Sequence, residues 1–194
     1  GAGFKTPKLS PDGLSVPVKT LPDPLTFTNG KKVTNFRDWE KRRAEIAAQI
    51  QFYETGAKPA VDKKNISARM AGDTLIVDVT VNGKTLTLSS KITYPSGGKA
   101  PYPIMIGTSM ISLPNEIFTK RNIAMMVYRE SQVNNYSQFK NADKKRGGYA
   151  FDRLYPELTA NGAYIEWAWG LSRLIDGLEM LGPEVTKIDT RHIG

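Results

Sequence analysis

The clearest pattern in the sequence is an alternation of apolar and polar residues between positions 73 and 94. The apolar members lie on both sides of an Asn-Gly pair and are Leu75, Val77, Val79, Val81, Leu86, Leu88 and Ile92. A period of two is typical of half-buried strands, and Asn82-Gly83 tolerates the positive φ angles of a type I′ turn. The segment therefore predicts a β-hairpin.

Two short apolar runs follow the hairpin, at residues 103–107 and 123–127. Neither run alternates with polar residues, which is typical of strands that are buried on both faces. Residues 187–194 resemble the start of a further strand, with Ile188 and Ile193 as its apolar positions. We therefore expect two strands that are buried on both faces, followed later in the chain by the entrance to another strand.

Two other segments show the period of an α-helix. Thr34 and Asn35 are suitable caps for a helix over residues 36–54, which Gly56 and Pro59 would end. Its apolar stripe consists of Trp39, Ile46, Ile50 and Tyr53. A second helix is predicted over residues 163–181, after Asn161-Gly162 and before Gly182-Pro183. Its stripe consists of Tyr164, Ala168, Leu171, Ile175 and Leu178, widened by Trp167, Leu174 and Leu181.

The order of these elements predicts an α/β fold with a mixed sheet, antiparallel in its first strands and parallel in its later ones. Residues 1–26 hold five of the 12 prolines, which forbids a regular helix and predicts an extended N-terminal arm. The polar region from about 129 to 160 predicts long loops around a short helix.

The composition excludes several kinds of chemistry. The chain has no cysteine and one histidine, His192. A thiol nucleophile, a disulfide and a Cys/His zinc site are therefore excluded within this chain, and no other metal site or cofactor is indicated. A Ser-His-acid triad would need His192 or a histidine from another chain. Because His192 lies within the last predicted strand, a structural or surface role is favoured for it.

The formal net charge of +8 favours an anionic partner such as an acidic polysaccharide. The densest basic runs are residues 41–43 and 144–146, and solvated surface is the favoured interpretation of both. No nucleic-acid-binding motif accompanies them. No stretch approaches the ~18 apolar residues of a membrane span, and we expect that any signal peptide has been removed. Asn65 and Asn135 begin glycosylation sequons, which matter only in a secreted eukaryotic protein.

The loop after the strand at 103–107 is the best candidate site, because ligands of open α/β sheets bind at the carboxyl ends of the strands. Gly107, Thr108 and Ser109 begin this loop and would form the rim of a cleft. In an α/β-hydrolase, the loop after the third strand donates an oxyanion-hole N–H group. An ordinary Gly/Ser connection is the favoured alternative. No Gly-x-Ser-x-Gly motif occurs.

Seven stretches together resemble the N-terminal half of a glucuronoyl esterase. They are Leu21-Pro22-Asp23-Pro24, Trp39-Glu40-Lys41-Arg42-Arg43 with Glu45-Ile46, Ile92-Thr93-Tyr94-Pro95, Pro101-Tyr102-Pro103, Ser112-Leu113-Pro114, Trp167-Ala168-Trp169-Gly170 with Ser172-Arg173 and Ile175-Asp176, and Ile188-Asp189-Thr190-Arg191-His192-Ile193-Gly194. The Trp-Ala-Trp-Gly helix followed by Asp-x-x-x-Ile-Gly is the most specific part.

The resemblance implies a secreted serine esterase of the α/β-hydrolase fold, with a mixed sheet sandwiched by helices in three αβα layers. Residues 27–194 would form the N-terminal half of that domain. In the family, the chain continues from the last Ile-Gly into the nucleophile elbow, so the catalytic residues would lie outside this chain. The expected substrate is the ester between 4-O-methyl-glucuronic acid of glucuronoxylan and lignin alcohols.

The resemblance also implies that the fold is incomplete in this chain. We expect residues 1–194 not to fold alone, and a second polypeptide or segment to supply the remaining strands, because interior strands would otherwise keep unpaired N–H and C=O groups. Two alternatives are a non-catalytic binding module for an anionic polysaccharide and an esterase that acts on another carbohydrate ester.

Overall fold

Six strands form one mixed sheet among the residues that the computed structural model describes, which are residues 9–10, 12, 20–108, 113–136 and 148–194. The strands are β1 (Ile66–Ala71), β2 (Thr74–Val81), β3 (Lys84–Thr93), β4 (Tyr102–Gly107), β5 (Ala124–Val127) and β6 (Ile188–Ile193). Their order across the sheet is β1-β2-β3-β5-β4-β6. The helices are α1 (Phe36–Ile50), α2 (Glu116–Thr119), α3 (Ala150–Leu154) and α4 (Ala163–Thr186).

The predicted hairpin is confirmed as β2 and β3. Asn82 and Gly83 form its turn with φ angles of 53° and 70°, the two positive values that a type I′ turn requires. A third antiparallel strand, β1, was not predicted; it pairs with β2 across a turn at Gly72-Asp73. Its alternation is weak because Ile66 is its one fully buried residue.

The three predicted strands are confirmed as β4, β5 and β6, but β6 forms an edge of the described sheet and Ile104 is the one buried residue of β4. β5 runs antiparallel to β3, and β4 lies between β5 and β6 and is parallel to both. Ala124, Met125 and Met126 of β5 are buried, as the lack of alternation predicted. The predicted α/β class, with a sheet that is first antiparallel and then parallel, is confirmed.

The helix α4 lies against β1, β2, β3 and β6. Its main segment ends where the sequence predicted, because Gly182 has a φ of 73° and is not helical, and Pro183 begins a short further turn. Several core residues surround the helix or belong to it: Leu75, Val77, Leu88, Ile92, Trp169, Leu174, Leu178 and Ile188.

The buried face of α4 differs from the predicted one. Tyr164 and Ala168 belong to the predicted stripe but are exposed, whereas Glu166 and Arg173 are buried. Polar residues and glycines also lie on the buried face of α4. A stripe defined by apolar residues alone therefore pointed to a face that is rotated from the buried one.

The chain divides into two compact units, residues 1–57 and 58–194. The division into an arm at 1–26 and a domain at 27–194 stays a prediction. In the first unit, α1 begins after Asn35, whose side chain accepts from the N–H of Asp38 at 3.0 Å. A π-helical turn, Gln51–Thr55, follows α1 and ends at Gly56, whose φ is 86°.

The buried positions of α1 are occupied by an ion pair. Nη1 of Arg42 donates to a carboxylate oxygen of Glu45 at 2.5 Å, and Glu45 also accepts from the N–H and hydroxyl of Thr28. The prediction that residues 41–43 form a solvated run is therefore wrong for Arg42. Ile50, a member of the predicted apolar stripe, is exposed.

Candidate active site

The carboxyl ends of β4, β5 and β6 meet at one edge of the sheet. The N–H of Tyr128, just after β5, donates to the carbonyl of Gly107 at 2.7 Å. The N–H of Ile106 in β4 donates to the carbonyl of Gly194 at 2.8 Å, and the N–H of Gly194 donates to the carbonyl of Ile104 at 2.9 Å. Gly107, Tyr128 and Gly194 are thus held side by side where α/β sheets bind their ligands.

The predicted cleft rim begins at this edge. Gly107 is half-buried at the end of β4, and Thr108 is exposed. Ser109 lies outside the described residues. The oxyanion role of Gly107, Thr108 and Ser109 stays a prediction.

A chain of hydrogen bonds attaches the segment after β5 to α4. The hydroxyl of Tyr128 donates to the carbonyl of Trp167 at 2.8 Å, and Nε1 of Trp167 donates to the carbonyl of Asn134 at 2.8 Å. Nδ2 of Asn134 donates to Oε2 of Glu166 at 2.5 Å, and both side chains are buried. Burial, with a smaller effect of Glu130, raises the pKa of Tyr128, so its hydroxyl remains a proton donor.

Two further side chains attach the end of β5 and the segment after it to β3. Gln132 accepts from the N–H of Ser89 at 2.8 Å, and its Nε2 donates to the carbonyl of that residue at 2.9 Å. The hydroxyl of Ser90 donates to the carbonyl of Val127 at 3.0 Å. The segment at residues 128–136 is therefore fixed from two directions at the edge where the candidate site lies.

Sequence reasoning missed this network. Asn134 and Glu166 are 32 positions apart, and Ser89 and Gln132 are 43 apart, so no local pattern connects them. One signal was available at Gly170. A Cβ atom there would collide with the hydroxyl of Tyr128 and with Cγ2 of Val133, and glycine inside a helix often marks such a close approach.

His192 lies at the surface of β6, as the sequence favoured, with 67% of its side chain exposed. Its Nδ1 is 2.8 Å from Oδ2 of Asp189, and the guanidinium of Arg191 donates to the same carboxylate. Hydrogen bonds from Arg191 and then from His192 lower the pKa of Asp189 well below its usual range. Asp189 thus orients both side chains.

The remaining predictions about sites concern metals, membranes, glycans and charge. Within the described ranges, no three acidic or histidine side chains lie close enough to hold a metal ion. No helix in the described part of the chain is long and apolar enough to cross a membrane. Asn65 and Asn135 are both exposed. The basic run at residues 144–146 lies outside the part of the chain that is described.

Comparison with known proteins settles the family. A family model described as "Glucuronyl esterase, fungi" matches residues 77–194, from β2 through the whole parallel part of the sheet. The chain belongs to the glucuronoyl esterase family. Membership confirms the α/β-hydrolase type of fold that the resemblance implied.

Relatives in this family match most of the chain. The 4-O-methyl-glucuronoyl methylesterase of Schizophyllum commune is 38% identical over 162 residues, which are 82% of this chain and 39% of the relative. The crystal structure of the glucuronoyl esterase of Sporotrichum thermophile matches with a TM-score of 0.78 and 36% sequence identity. The match covers 90% of this chain and 45% of the chain in that structure.

A structure of a mutant of that esterase in complex with methyl 4-O-methyl-beta-D-glucopyranuronate has a TM-score of 0.75 and 36% identity. The match covers 90% of this chain and 44% of the chain in that structure. The chain spans about two fifths of the length of the curated relatives that it matches.

Proposed function

We propose that this chain is part of a carbohydrate esterase that hydrolyses the ester between 4-O-methyl-glucuronic acid of glucuronoxylan and lignin alcohols. The observation that carries the proposal is the similarity to the esterase whose mutant binds methyl 4-O-methyl-beta-D-glucopyranuronate, at 36% identity over 90% of this chain. That ligand is an ester of the same uronic acid, so the acid part of the substrate is the part best supported.

The reaction would proceed through a serine acyl-enzyme. The serine oxygen forms a bond to the carbonyl carbon of the uronoyl ester, the bond from that carbon to the alcohol oxygen breaks, and the alcohol leaves with a proton. Water then attacks the acyl carbon and releases the uronic acid and the serine. The serine, its base and the acid would be supplied by residues outside this chain.

This chain would contribute the sheet edge and one rim of the cleft. N–H groups of the rim, Gly107, Thr108 and Ser109, would face the oxygen that gains negative charge as the carbonyl is attacked. The network of Tyr128, Asn134 and Glu166 would keep the neighbouring segment in place, because each member is buried and hydrogen-bonded. The net charge of +8 would favour approach of an acidic polysaccharide.

The same proposal includes a partner and a location. A second polypeptide or segment would supply the catalytic residues. The substrate is a polysaccharide of plant cell walls, so the protein would act outside the cell, as a secreted enzyme. No cofactor is needed for acyl transfer to serine and water.

The proposal is tested by comparing two esters. The purified protein, together with the segment that completes it, is incubated with methyl 4-O-methyl-glucuronate and with an acetyl ester of xylose. We expect release of methanol and no release of acetate, measured by chromatography. Acetate release without methanol release would identify an esterase for another carbohydrate ester and contradict the proposal.

The binding-module alternative has its own signature. A non-catalytic module would leave both esters intact while binding glucuronoxylan with an affinity that falls steeply as salt is added. Such a result would overturn the proposed hydrolysis. The chain would then bind the acidic polysaccharide through its positive charge, which salt screens, without cleaving an ester.

A further inference from the structure

An aromatic pair lies at the beginning of α4. The rings of Tyr164 and Trp167 are 5.1 Å apart between centroids and nearly perpendicular, at 81°. Tyr164 is 67% exposed, whereas Trp169, two positions after Trp167, is completely buried. Packing of the hydrophobic core therefore explains Trp169 but not the ring of Tyr164.

Trp167 is held in a fixed orientation. Its Nε1 donates to the carbonyl of Asn134 at 2.8 Å, and its own carbonyl accepts from the hydroxyl of Tyr128 at 2.8 Å. The indole also packs partly buried against the hydrophobic core. Because Tyr164 lies three positions before Trp167 on the same helix, the two side chains are neighbours on one face of α4. Contact with a fixed indole restricts the ring of Tyr164, so a ligand that binds there loses less entropy in ordering it.

Tyr128 connects this pair to the candidate site. Its N–H donates to the carbonyl of Gly107 at the end of β4, while its hydroxyl donates to Trp167. The direction of α4 agrees with this connection. The helix follows β5 and leads to β6, and both strands are parallel to β4, so α4 begins at the carboxyl edge of the sheet. The exposed ring therefore lies on the same side of the molecule as the cleft rim.

The surface around the pair suits a sugar ring. The face of an aromatic ring is negative, and the C–H groups on one face of a pyranose are slightly positive, so the two stack. The neighbouring side chains are polar: Arg129 follows Tyr128, Asn135 follows Asn134, and both are exposed. A stable protein interface buries about 800 Å² on each partner. One exposed ring among polar residues is too small for that, but it matches a single sugar.

We propose that the ring of Tyr164, supported by Trp167, is a subsite for a xylose residue in the main chain of glucuronoxylan. The inference rests on the proposed function, because it places the esterified branch at the rim that Gly107 begins and the chain that carries the branch across the start of α4. The subsite binds the polysaccharide and does not touch the reacting ester. Tyr164 therefore favours a polymeric substrate over a small ester.

The first test measures binding and does not depend on hydrolysis. The protein, together with the segment that completes it, is run on native gels with and without glucuronoxylan. We expect Tyr164→Ala to be retarded less than the parent, with the dissociation constant raised by about 3- to 10-fold. Tyr164→Phe keeps the ring and should bind as the parent does. Equal retardation of the parent and Tyr164→Ala would overturn the proposal.

The second test compares two esters of the same acid. One is methyl 4-O-methyl-glucuronate, and the other is a methyl ester of the acid branches on a xylan oligosaccharide. We expect Tyr164→Ala to lower the ratio of kcat/KM for the oligosaccharide to kcat/KM for the small ester by about 3- to 10-fold, mainly through KM for the oligosaccharide. A disturbed fold would lower both values together, and an unchanged ratio would contradict the subsite.

The matched control is Met180→Ala. Met180 is an exposed apolar residue of the same helix, about 24 Å further along it. This variant should keep the retardation and the ratio of the parent, and an effect equal to that of Tyr164→Ala would contradict the proposal.

The two tests separate the subsite from the proposed function. Weaker binding by Tyr164→Ala, with neither ester hydrolysed by the parent, would support the subsite and refute the proposed hydrolysis. Hydrolysis of both esters with unchanged retardation and an unchanged ratio in Tyr164→Ala would refute the subsite alone.

Discussion

Two glycines set the distance between α4 and its neighbours. A Cβ atom on Gly177 would lie 2.5 Å from Cγ2 of Val77, and one on Gly170 would collide with Tyr128 and Val133. Glycine inside a helix costs about 1 kcal/mol relative to alanine. The close approach therefore explains both residues, and it lets the helix backbone lie directly on β2 and on the segment after β5.

A carboxylate on the hairpin gives a prediction at the scale of one residue. Asp78 accepts from the hydroxyl of Thr87 at 2.5 Å and from the guanidinium of Arg69, and these bonds lower its pKa below the ordinary value of 3.8. A pKa lowered in the folded state means that the stabilisation is present above pH 3.8 and is lost as pH falls through the lowered value.

In the protein together with the segment that completes it, Asp78→Asn should therefore lower the free energy of unfolding at neutral pH and flatten its decrease below pH 3.8, measured by urea unfolding at several pH values. Thr80→Val is the control: Thr80 bonds to Thr85 and not to a carboxylate, so the acid dependence should stay as in the parent. An unchanged acid dependence in Asp78→Asn would show that this carboxylate does not contribute.

At the scale of elements, local chemistry decided what the sequence could predict. The hairpin was found because Asn82-Gly83 has the conformational freedom that its turn needs, and α4 was ended correctly at Gly182 for a similar reason. β1 was missed because Ala68 and Ser67 carry little hydrophobic contrast. The predicted face of α4 was wrong because two charged residues, Glu166 and Arg173, are buried: Glu166 accepts from Asn134, 32 positions away, and Arg173 forms an ion pair with Asp176 on the same helix.

One part of the candidate site could be predicted from the sequence and another part could not. Gly107 could be placed at the end of a strand, since strand ends follow from the apolar pattern alone. The anchoring of residues 128–136 could not be predicted, because Asn134 becomes buried only when α4 brings Glu166 to it. Polar residues that pair over a long distance in sequence produce no periodic pattern from which the pair could be predicted.

The anchored segment gives a prediction at this scale. Asn134→Ala would leave Glu166 without one of its hydrogen bonds in a buried position. In the protein together with the segment that completes it, we expect a loss of about 1–3 kcal/mol in the free energy of unfolding. Asn135→Ala changes the exposed neighbour and should stay within about 0.5 kcal/mol of the parent. Equal losses in the two variants, measured by urea unfolding, would show that the bond to Glu166 adds no stability.

For the whole molecule, the position of β6 matters most. Among the described strands, β6 pairs with β4 alone and forms one edge of the sheet. An edge strand exposes unpaired N–H and C=O groups. The expectation that residues 1–194 do not fold alone stays a prediction, and its physical reason is this edge.

The test is made on the 194-residue chain produced by itself. We expect sedimentation to show association or an expanded chain, and thermal unfolding to lack a cooperative transition. The control is the same chain mixed with the segment that completes the fold in its relatives, which should restore a sharp transition. A monomer that unfolds cooperatively without that segment would contradict the expectation.

The strand order also has a consequence for biosynthesis. β4 lies between β5 and β6, and both of its neighbours are later in the chain. β1, β2 and β3 can pair as soon as they leave the ribosome, because two-residue turns join them. Ribosomes add 5–20 residues per second, so synthesis of the residues between β4 and β6 takes on the order of 4–16 s. During that interval, the nascent apolar strand keeps one edge open to chaperones or to misassembly with other chains.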